Sequence, residues 1–582
     1  MATPSITSSV ALDRAAALQH SRPTARWILS VSAGLLLLVV SWRFAEVRLD
    51  VFFRLSTLHA VGGFFAGMSR PDLSVVFLRT VWHALVLTIA TAVAGTLLSV
   101  VFALALGILA TATLWSRGIL AAQEVPGFVF RLRWVSNRLA RALLGFLRAV
   151  PDLVWALLFV AALGLGSLAG TLALAVAYTG VLGRVYADVF EHVDPQPLEA
   201  LQSTGATRLQ IFLRGVWPQA LPHLVAYSVY SFECCVRAAA VLGFVGAGGI
   251  GYEISISMRL FEYGQVLTLL LVFVVLLTAT DAISGYLRSR SAKNGDHVTQ
   301  IMPENGPARA FIHESRKIGS RLLVAFLVTT CFFLAGFTPR TLSGTGIAAR
   351  LSGFVIRMLP PDVGWSFIAS LGRALLQTIA ISVIGTLMGV GLAIVLAVPA
   401  TSTLTLVHAD TPGNHRGAGR IFREILFWST RLVLNVLRSI PELVWVPICI
   451  LAVGIGPFAG AIALGLHTAG VLGKLYAETM DEVPMRPVEA LRSLGARPLQ
   501  LLLWAIWPQA RPLLTSYTVL RWEMNLRAST ILGLVGGGGL GQAIYNNVQL
   551  GFYTRLSTLI VLIYALVLAS DWIGERLRLS VT

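Results

Sequence analysis

One offset constrains this chain more than any other feature. Residues 199–218 read EALQSTGATRLQIFLRGVWP, and residues 489–508, 290 positions later, read EALRSLGARPLQLLLWAIWP. Glu199, Ala200, Gly205 and Pro218 therefore face Glu489, Ala490, Gly495 and Pro508. The same register, without a gap, sets His83-Ala84-Leu85 against Arg373-Ala374-Leu375 and Pro71-Asp72 against Pro361-Asp362, and also Gly95 against Gly385 and Arg148 against Arg438. Shared apolar composition aligns apolar residues with one another, but it does not align Pro, Asp, Glu and Gly. The chain is two copies of one plan.

The medium is set by composition. Of 582 residues, 56% are hydrophobic and 13% are charged, and the mean hydropathy is +0.76. Soluble domains carry roughly 25% charged residues, so this is a polytopic membrane protein. The net charge of +17 does not mark a nucleic-acid surface. Its arginines cluster at the ends of apolar runs, where they set topology and anchor to lipid headgroups. Lysine occurs only at Lys293, Lys317 and Lys474. The four cysteines, Cys234, Cys235, Cys331 and Cys449, lie in apolar runs without metal-ligand spacing and read as packing residues. The first apolar run, Trp27 to Trp42, meets Arg43 rather than a small-residue cleavage site and is expected to stay as a span.

Apolar runs predict spans near 27–44, 77–112, 141–163, 168–189, 221–245 and 264–287, then near 321–337, 370–402, 431–453, 458–479, 511–535 and 554–576. The run at 77–112 exceeds the ~20 residues a bilayer needs and should tilt or protrude. The fold class is therefore all-α with about twelve transmembrane helices. Residues 1–290 form the first six-span unit, 291–320 a polar cytoplasmic linker and 321–582 the second unit. An even span number gives both units one orientation, so the repeat is parallel, unlike the inverted repeats of many secondary carriers. The Arg-rich loops at 113–140 and 412–431 fall on the same side as both termini, which is expected to be cytoplasmic.

The duplicated Glu-Ala-Leu…Gly…Pro segment resembles the EAA signature of permease subunits of bacterial ATP-binding-cassette importers. Gly205 and Gly495 suit a turn between helices, and Pro218 and Pro508 suit the start of the next helix. The resemblance narrows to the phosphonate importer permeases at Arg438–Trp445 (RSIPELVW), at its partner Arg148–Trp155 (RAVPDLVW), at His467–Lys474 (HTAGVLGK) and at Glu523–Ala528 (EMNLRA). It implies a type I importer fold and import of phosphonate, phosphate or a related phosphorus oxyanion across a bacterial cytoplasmic membrane. It also implies a homodimeric cytosolic ATPase that binds ATP and Mg and docks on the two signature loops, with an extracytoplasmic protein delivering substrate. The first half departs at Ala177 and Tyr178, where the second has His467 and Thr468.

Candidate pathway residues follow from intramembrane charge. Glu233 and Arg237 stand four residues apart, as do Glu523 and Arg527. Ionisable residues inside a span usually face a pathway or a partner. Such pairs either clamp one span to its neighbours or offer an arginine fork to phosphate-like oxygens. Arg148 and Arg438 read first as headgroup anchors, and His467 as a hydrogen-bonded packing residue or a site residue. Gly246–Gly251 and Gly536–Gly541 match G-x-G-x-x-G. They follow apolar spans rather than strands, so they predict a tight turn at the outer mouth instead of a dinucleotide loop. No phosphate-cradling G-x-x-x-x-G-K-[ST] is present. The chain is thus expected to be a transporter subunit, without catalytic residues, cofactor or metal of its own. An importer of another small solute such as an amino acid, an ion-coupled carrier and a membrane scaffold are the competing readings.

Overall fold

The computed structural model describes residues 25–115, 127–295, 324–338, 346–405 and 418–581. Residues 1–24 and most of the expected linker lie outside them. Among the described residues the structure is helix and turn without strand.

The first half opens with α1 (Ala25–Phe44), α2 (Leu55–Met68), the long α3 (Val75–Ala110) and α4 (Gly127–Ala149). Then come α5 (Asp152–Leu163), α6 (Ser167–Glu191), α7 (Pro195–Ser203), α8 (Trp217–Leu242), α9 (Ile250–Arg259) and α10 (Tyr263–Gly295). The second half repeats them as α11 (Val324–Leu334), α12 (Gly346–Met358), α13 (Trp365–Ala400), α14 (Ala418–Ser439), α15 (Glu442–Val453) and α16 (Pro457–Asp481). It closes with α17 (Met485–Ser493), α18 (Trp507–Leu532), α19 (Gly539–Gln549) and α20 (Tyr553–Val581). The bounds of α3, α5, α6, α7 and α8 recur to the residue at the 290-position offset.

Seven described helical runs are long and apolar enough to cross a membrane, or nine when each of two bent pairs counts once. They are predominantly apolar, and a helix satisfies its backbone groups internally, as lipid requires. α18 lies at the place of a span, but Arg511, Arg521, Glu523 and Arg527 lower its hydropathy. α3 and α13, 36 residues each, are about 54 Å long at 1.5 Å per residue. Both exceed the bilayer core, as the sequence predicts for the first of them.

The expected spans near 141–163 and 431–453 are not straight. The chain bends 89° between α4 and α5 and 100° between α14 and α15. Pro151 and Pro441 cause the break, because proline drives the preceding residue out of the helical region and itself starts the next helix. Glycine sets how closely the bend packs. A Cβ on Gly180 would lie 2.5 Å from the Arg148 nitrogen, and one on Gly470 would lie 2.5 Å from the Arg438 nitrogen. The bend therefore rests on the bare backbone of α6 and α16. α4 and α14 expose Phe128, Leu132, Trp134, Phe422, Ile425 and Trp428 beside arginines, the pattern of helices lying in the headgroup plane.

The two halves interlock. α1 packs on α13 of the other half, α2 on α15 and α12 on α5. Glu46 pairs with Arg373 at 3.6 Å, and Ser167 Oγ donates to the Leu334 carbonyl at 3.3 Å. Phe146 meets Tyr564 edge to face, with centroids 5.4 Å apart. A single hydrophobic core, including Leu153, Leu174 and Leu242 with Leu443, Leu464 and Leu532, runs through both halves.

Candidate functional site

The duplicated signature forms α7 and α17 and the turns that follow them. Each helix ends in a left-handed glycine, Gly205 at φ +78° and Gly495 at φ +80°. The Gly205 and Ala206 amides donate to the Gln202 and Leu201 carbonyls at 2.9 and 3.3 Å. Gly495 and Ala496 repeat this with Arg492 and Leu491 at 2.9 and 3.1 Å. This is the Schellman geometry, which satisfies the last helical carbonyls and needs a residue free of Cβ strain. A short turn and a π-helical turn, Phe212–Val216 or Leu502–Ile506, lead into α8 and α18. Pro218 and Pro508 stand at the second positions of those helices.

One face of each short helix is anchored. Leu198 and Val488 are buried, each burial stabilising by about 2 kcal/mol. The methyl of Leu198 sits over Gly215, where a Cβ would come within 2.5 Å. The opposite face, with Glu199, Ala200, Glu489 and Ala490, is exposed. Asp194 caps α7 by accepting from the Gln196 amide at 3.0 Å, whereas Pro484 begins α17 without a side-chain cap.

A charged clamp missed by the sequence reading ties these helices to the body. Arg141 of α4 pairs with Glu191 at the end of α6. Glu191 also accepts from the Ala112 amide at 2.6 Å, and Arg141 Nε donates to the Ala110 carbonyl at 2.8 Å. In the second half Arg431 pairs with Asp481 at 3.2 Å, Ser402 Oγ donates to Asp481 at 2.8 Å and Arg431 Nε donates to the Ala400 carbonyl at 3.1 Å. The clamp joins the C-terminal end of the long helix, α4 or α14, and the helix that leads into the short exposed one. The matched acid–arginine register at the 290-position offset was the available signal.

The model of the family described as "binding-protein-dependent transport system inner membrane component" matches residues 116–293 and 417–581, one copy over each clamp, bend and exposed helix. The chain belongs to this family of inner membrane transport components.

This transport component is 33% identical over 445 residues to the phosphate-import permease protein PhnE of Mycolicibacterium smegmatis, covering 75% of this chain and 77% of that one. It is 36% identical over 265 residues to the phosphite transport system permease protein PtxC of Stutzerimonas stutzeri, covering 45% of this chain and 89% of that one. The inward-facing methionine transporter MetNI aligns with it at 25% identity and a TM-score of 0.33, covering 38% of this chain and 100% of that one.

At the centre of the transport component the two proline bends bring charge together. Asp152 and Glu442 open α5 and α15. The bend leaves the Ile440 carbonyl outside the helical ladder, and buried His467 Nδ1 lies 3.0 Å from it. Because a carbonyl only accepts, Nδ1 carries a proton. Nε2 then points to Glu442 at 3.6 Å. Glu442 interacts electrostatically with His467, with Arg521 and, from the other half, with Arg237. Asp152 faces Glu442 across the midline. Thr468, the residue after His467, joins a buried network in which Asn525 Nδ2 donates to Thr386 at 2.8 Å and to Thr468 at 2.9 Å.

The two Glu–Arg pairs of the fifth-span helices fare differently. Arg527 pairs with Asp571 of α20 and with Glu523 at 3.2 Å, while Arg578 pairs with Glu523 at 2.9 Å. Arg237, its counterpart, has a buried Nε without a hydrogen-bond partner, as Arg527 itself has; what sets Arg527 apart is its Nη2 contacts with Asp571 and Glu523. Arg148 reaches Asp571 at 3.4 Å, and Arg438 Nε is buried without a partner. Arg521 and Asp152 were missed because Ser231 stands at the first half's equivalent of Arg521 and because Asp152 reads as an ordinary first-turn acid.

At the opposite end the glycine runs form tight turns, as the sequence predicts. Gly246, Gly248 and Gly249 have φ of +95°, +81° and +77°, and Gly536, Gly538 and Gly539 have +97°, +78° and +73°. The Gly166 amide donates to the Gly246 carbonyl at 3.0 Å, which ties the turn to the start of α6.

Proposed function

We propose that this protein is the transmembrane permease subunit of an ATP-driven importer of phosphate, phosphite, phosphonate or a related phosphorus oxyanion, with both halves in one chain. α7 and α17 act as docking helices for a homodimeric cytosolic ATPase, which holds ATP and Mg. An extracytoplasmic binding protein delivers the solute at the glycine-turn face. Both termini lie in the cytosol.

The observation that carries this reading is the duplicated short helix. It is exposed along Glu199 and Glu489, fastened at Leu198 and Val488, and linked through the Arg141–Glu191 and Arg431–Asp481 clamps to the proline-bent helices at the midline. Force applied to α7 and α17 reaches α4–α5 and α14–α15 through charged contacts rather than through a flexible loop. Closing the ATPase would draw α7 toward α17 and shift the population between inward-open and outward-open arrangements. The relatives named for phosphate import and phosphite transport supply the substrate class.

Uptake into proteoliposomes holding the permease, its ATPase and its binding protein tests the whole reading. ATP-dependent accumulation of phosphate, phosphite or methylphosphonate is expected. Accumulation of methionine with none of these would move the protein to the amino-acid class. Transport driven by an ion gradient without ATP would mark a carrier.

A further inference from the structure

We infer that the permease carries an oxyanion site of its own at the midline, between Arg237 of the first half and Arg521 of the second, where Glu442 and Asp152 accept hydrogen bonds from a protonated phosphorus oxyanion. The inference rests on the importer reading above and adds a site within the membrane.

Four observations converge on it. First, Arg237 Nε and Arg521 Nε are both buried without a hydrogen-bond partner. A buried guanidinium atom with unused donors is costly unless a ligand fills the gap. Second, neither arginine repeats its counterpart's bonding. Arg527 is held by Asp571 and Glu523, and Ser231 stands where Arg521 would repeat. The two unpartnered Nε donors therefore come one from each half. Third, both arginines act electrostatically on one carboxylate, Glu442, so they converge on a common space. Fourth, a second carboxylate, Asp152, interacts electrostatically with Glu442, and the Nε2 of His467 lies 3.6 Å from Glu442.

Two guanidinium forks suit tetrahedral oxyanions, which accept paired N–H bonds. Two carboxylates beside them repel an anion that only accepts. An anion that keeps a proton, such as hydrogen phosphate or hydrogen phosphite, both accepts from the arginines and donates its O–H to Glu442 or Asp152. Sulfate, fully deprotonated at neutral pH, has no proton to give. The arrangement thus favours phosphorus oxyanions over sulfate, independently of the delivering protein.

The test uses the complete transporter in proteoliposomes, with [32P]phosphate uptake read beside ATP hydrolysis and assembly with the ATPase. Arg521→Ser installs the residue that the first half already carries at the equivalent position, so it is compatible with the repeat. Arg521→Ser and Arg237→Gln are each expected to lower phosphate uptake at least tenfold with assembly and basal ATP hydrolysis kept, and Arg521→Lys to restore part of it. Excess sulfate should leave wild-type uptake unchanged but should inhibit Glu442→Gln. If wild type imports phosphate and both arginine variants stay within twofold of it, the site is overturned and the importer reading stands. If wild type imports neither phosphate, phosphite nor methylphosphonate, the importer reading falls and the site falls with it.

Discussion

Arg148 of the first half reaches Asp571 of the second at 3.4 Å, whereas Arg438 and Asp281, 290 positions away from each, have Nε and Oδ1 buried without hydrogen-bond partners. A latch with twofold sequence symmetry is thus closed on one side only. Asp571 also holds Arg527, which Glu523 and Arg578 join into one network between α18 and α20.

Removing Asp571 leaves Arg527 without its short partner. Asp571 remains 25% exposed and Arg527 28%, so water screens part of the loss. Asp571→Ala is expected to destabilise by about 1–3 kcal/mol, the cost of stranding a charged donor, and Asp281→Ala by less. Thermal unfolding of both variants in detergent checks this. An equal loss at the two positions would contradict the one-sided latch.

The glycines that end α7 and α17 make a backbone prediction. Gly205 and Gly495 have positive φ and no heavy atom within 4 Å of an added Cβ. Alanine there should be disfavoured by conformation alone, about 1–2 kcal/mol per position, with the core intact. Gly205→Ala and Gly495→Ala should therefore fold and reach the membrane while coupling fails. Substrate-stimulated ATP hydrolysis should fall more than basal hydrolysis, and unchanged stimulation would count against α7 and α17 as docking elements.

Gly180 and Gly470 should behave in the opposite way. An added Cβ would lie 2.5 Å from a backbone nitrogen of the bend, and backbone yields less than a side-chain tip. Gly470→Ala should overpack by about 1–3 kcal/mol or more, seen as a lower midpoint or lost assembly. Gly145→Ala on α4, with nothing within 4 Å, is the control. It should be neutral or stabilising by up to about 1 kcal/mol, because alanine favours a helix.

Asp72 and Asp362 sit just before α3 and α13. The Ser74 amide bonds Asp72 at 2.9 Å, and the Gly364 amide bonds Asp362 at 2.9 Å. Those backbone bonds, joined by Arg555 at Asp362, hold both carboxyls below the ordinary aspartate range. A depressed folded pKa means the stabilisation is present above the unfolded value and is lost as pH falls through the folded one. The deficits of Asp72→Asn and Asp362→Asn at pH 7 should hold down to about pH 4 and shrink below it, since an unfolded Asp titrates near 3.9. Unfolding midpoints across that range decide it. A deficit independent of pH would show that shape, not charge, matters there.

Much of the fold was legible because its signals are local. The repeat, the apolar runs, the glycine turns at Gly205 and Gly246 and the helix starts at Pro218 and Pro508 each depend on residues a few positions apart. Pro151 announced an interruption, but not an 89° turn. That angle depends on Gly180 beneath Arg148, thirty-odd residues away in sequence. The packing of α1 on α13 of the other half has no local signal, because one apolar helix face resembles another.

The charged residues divide along the same line. Sequence alone determined that Glu233 and Arg237, like Glu523 and Arg527, stand four residues apart inside apolar runs, and that the chain carries two equivalent polar segments between spans. Only the tertiary structure decided that Arg527 pairs with Asp571 while Arg237 acts electrostatically on Glu442 of the other half. Electrostatic energy depends on distance and on the surrounding medium. Those are properties of neighbours brought together by packing, and the spacing of residues along a helix does not contain them.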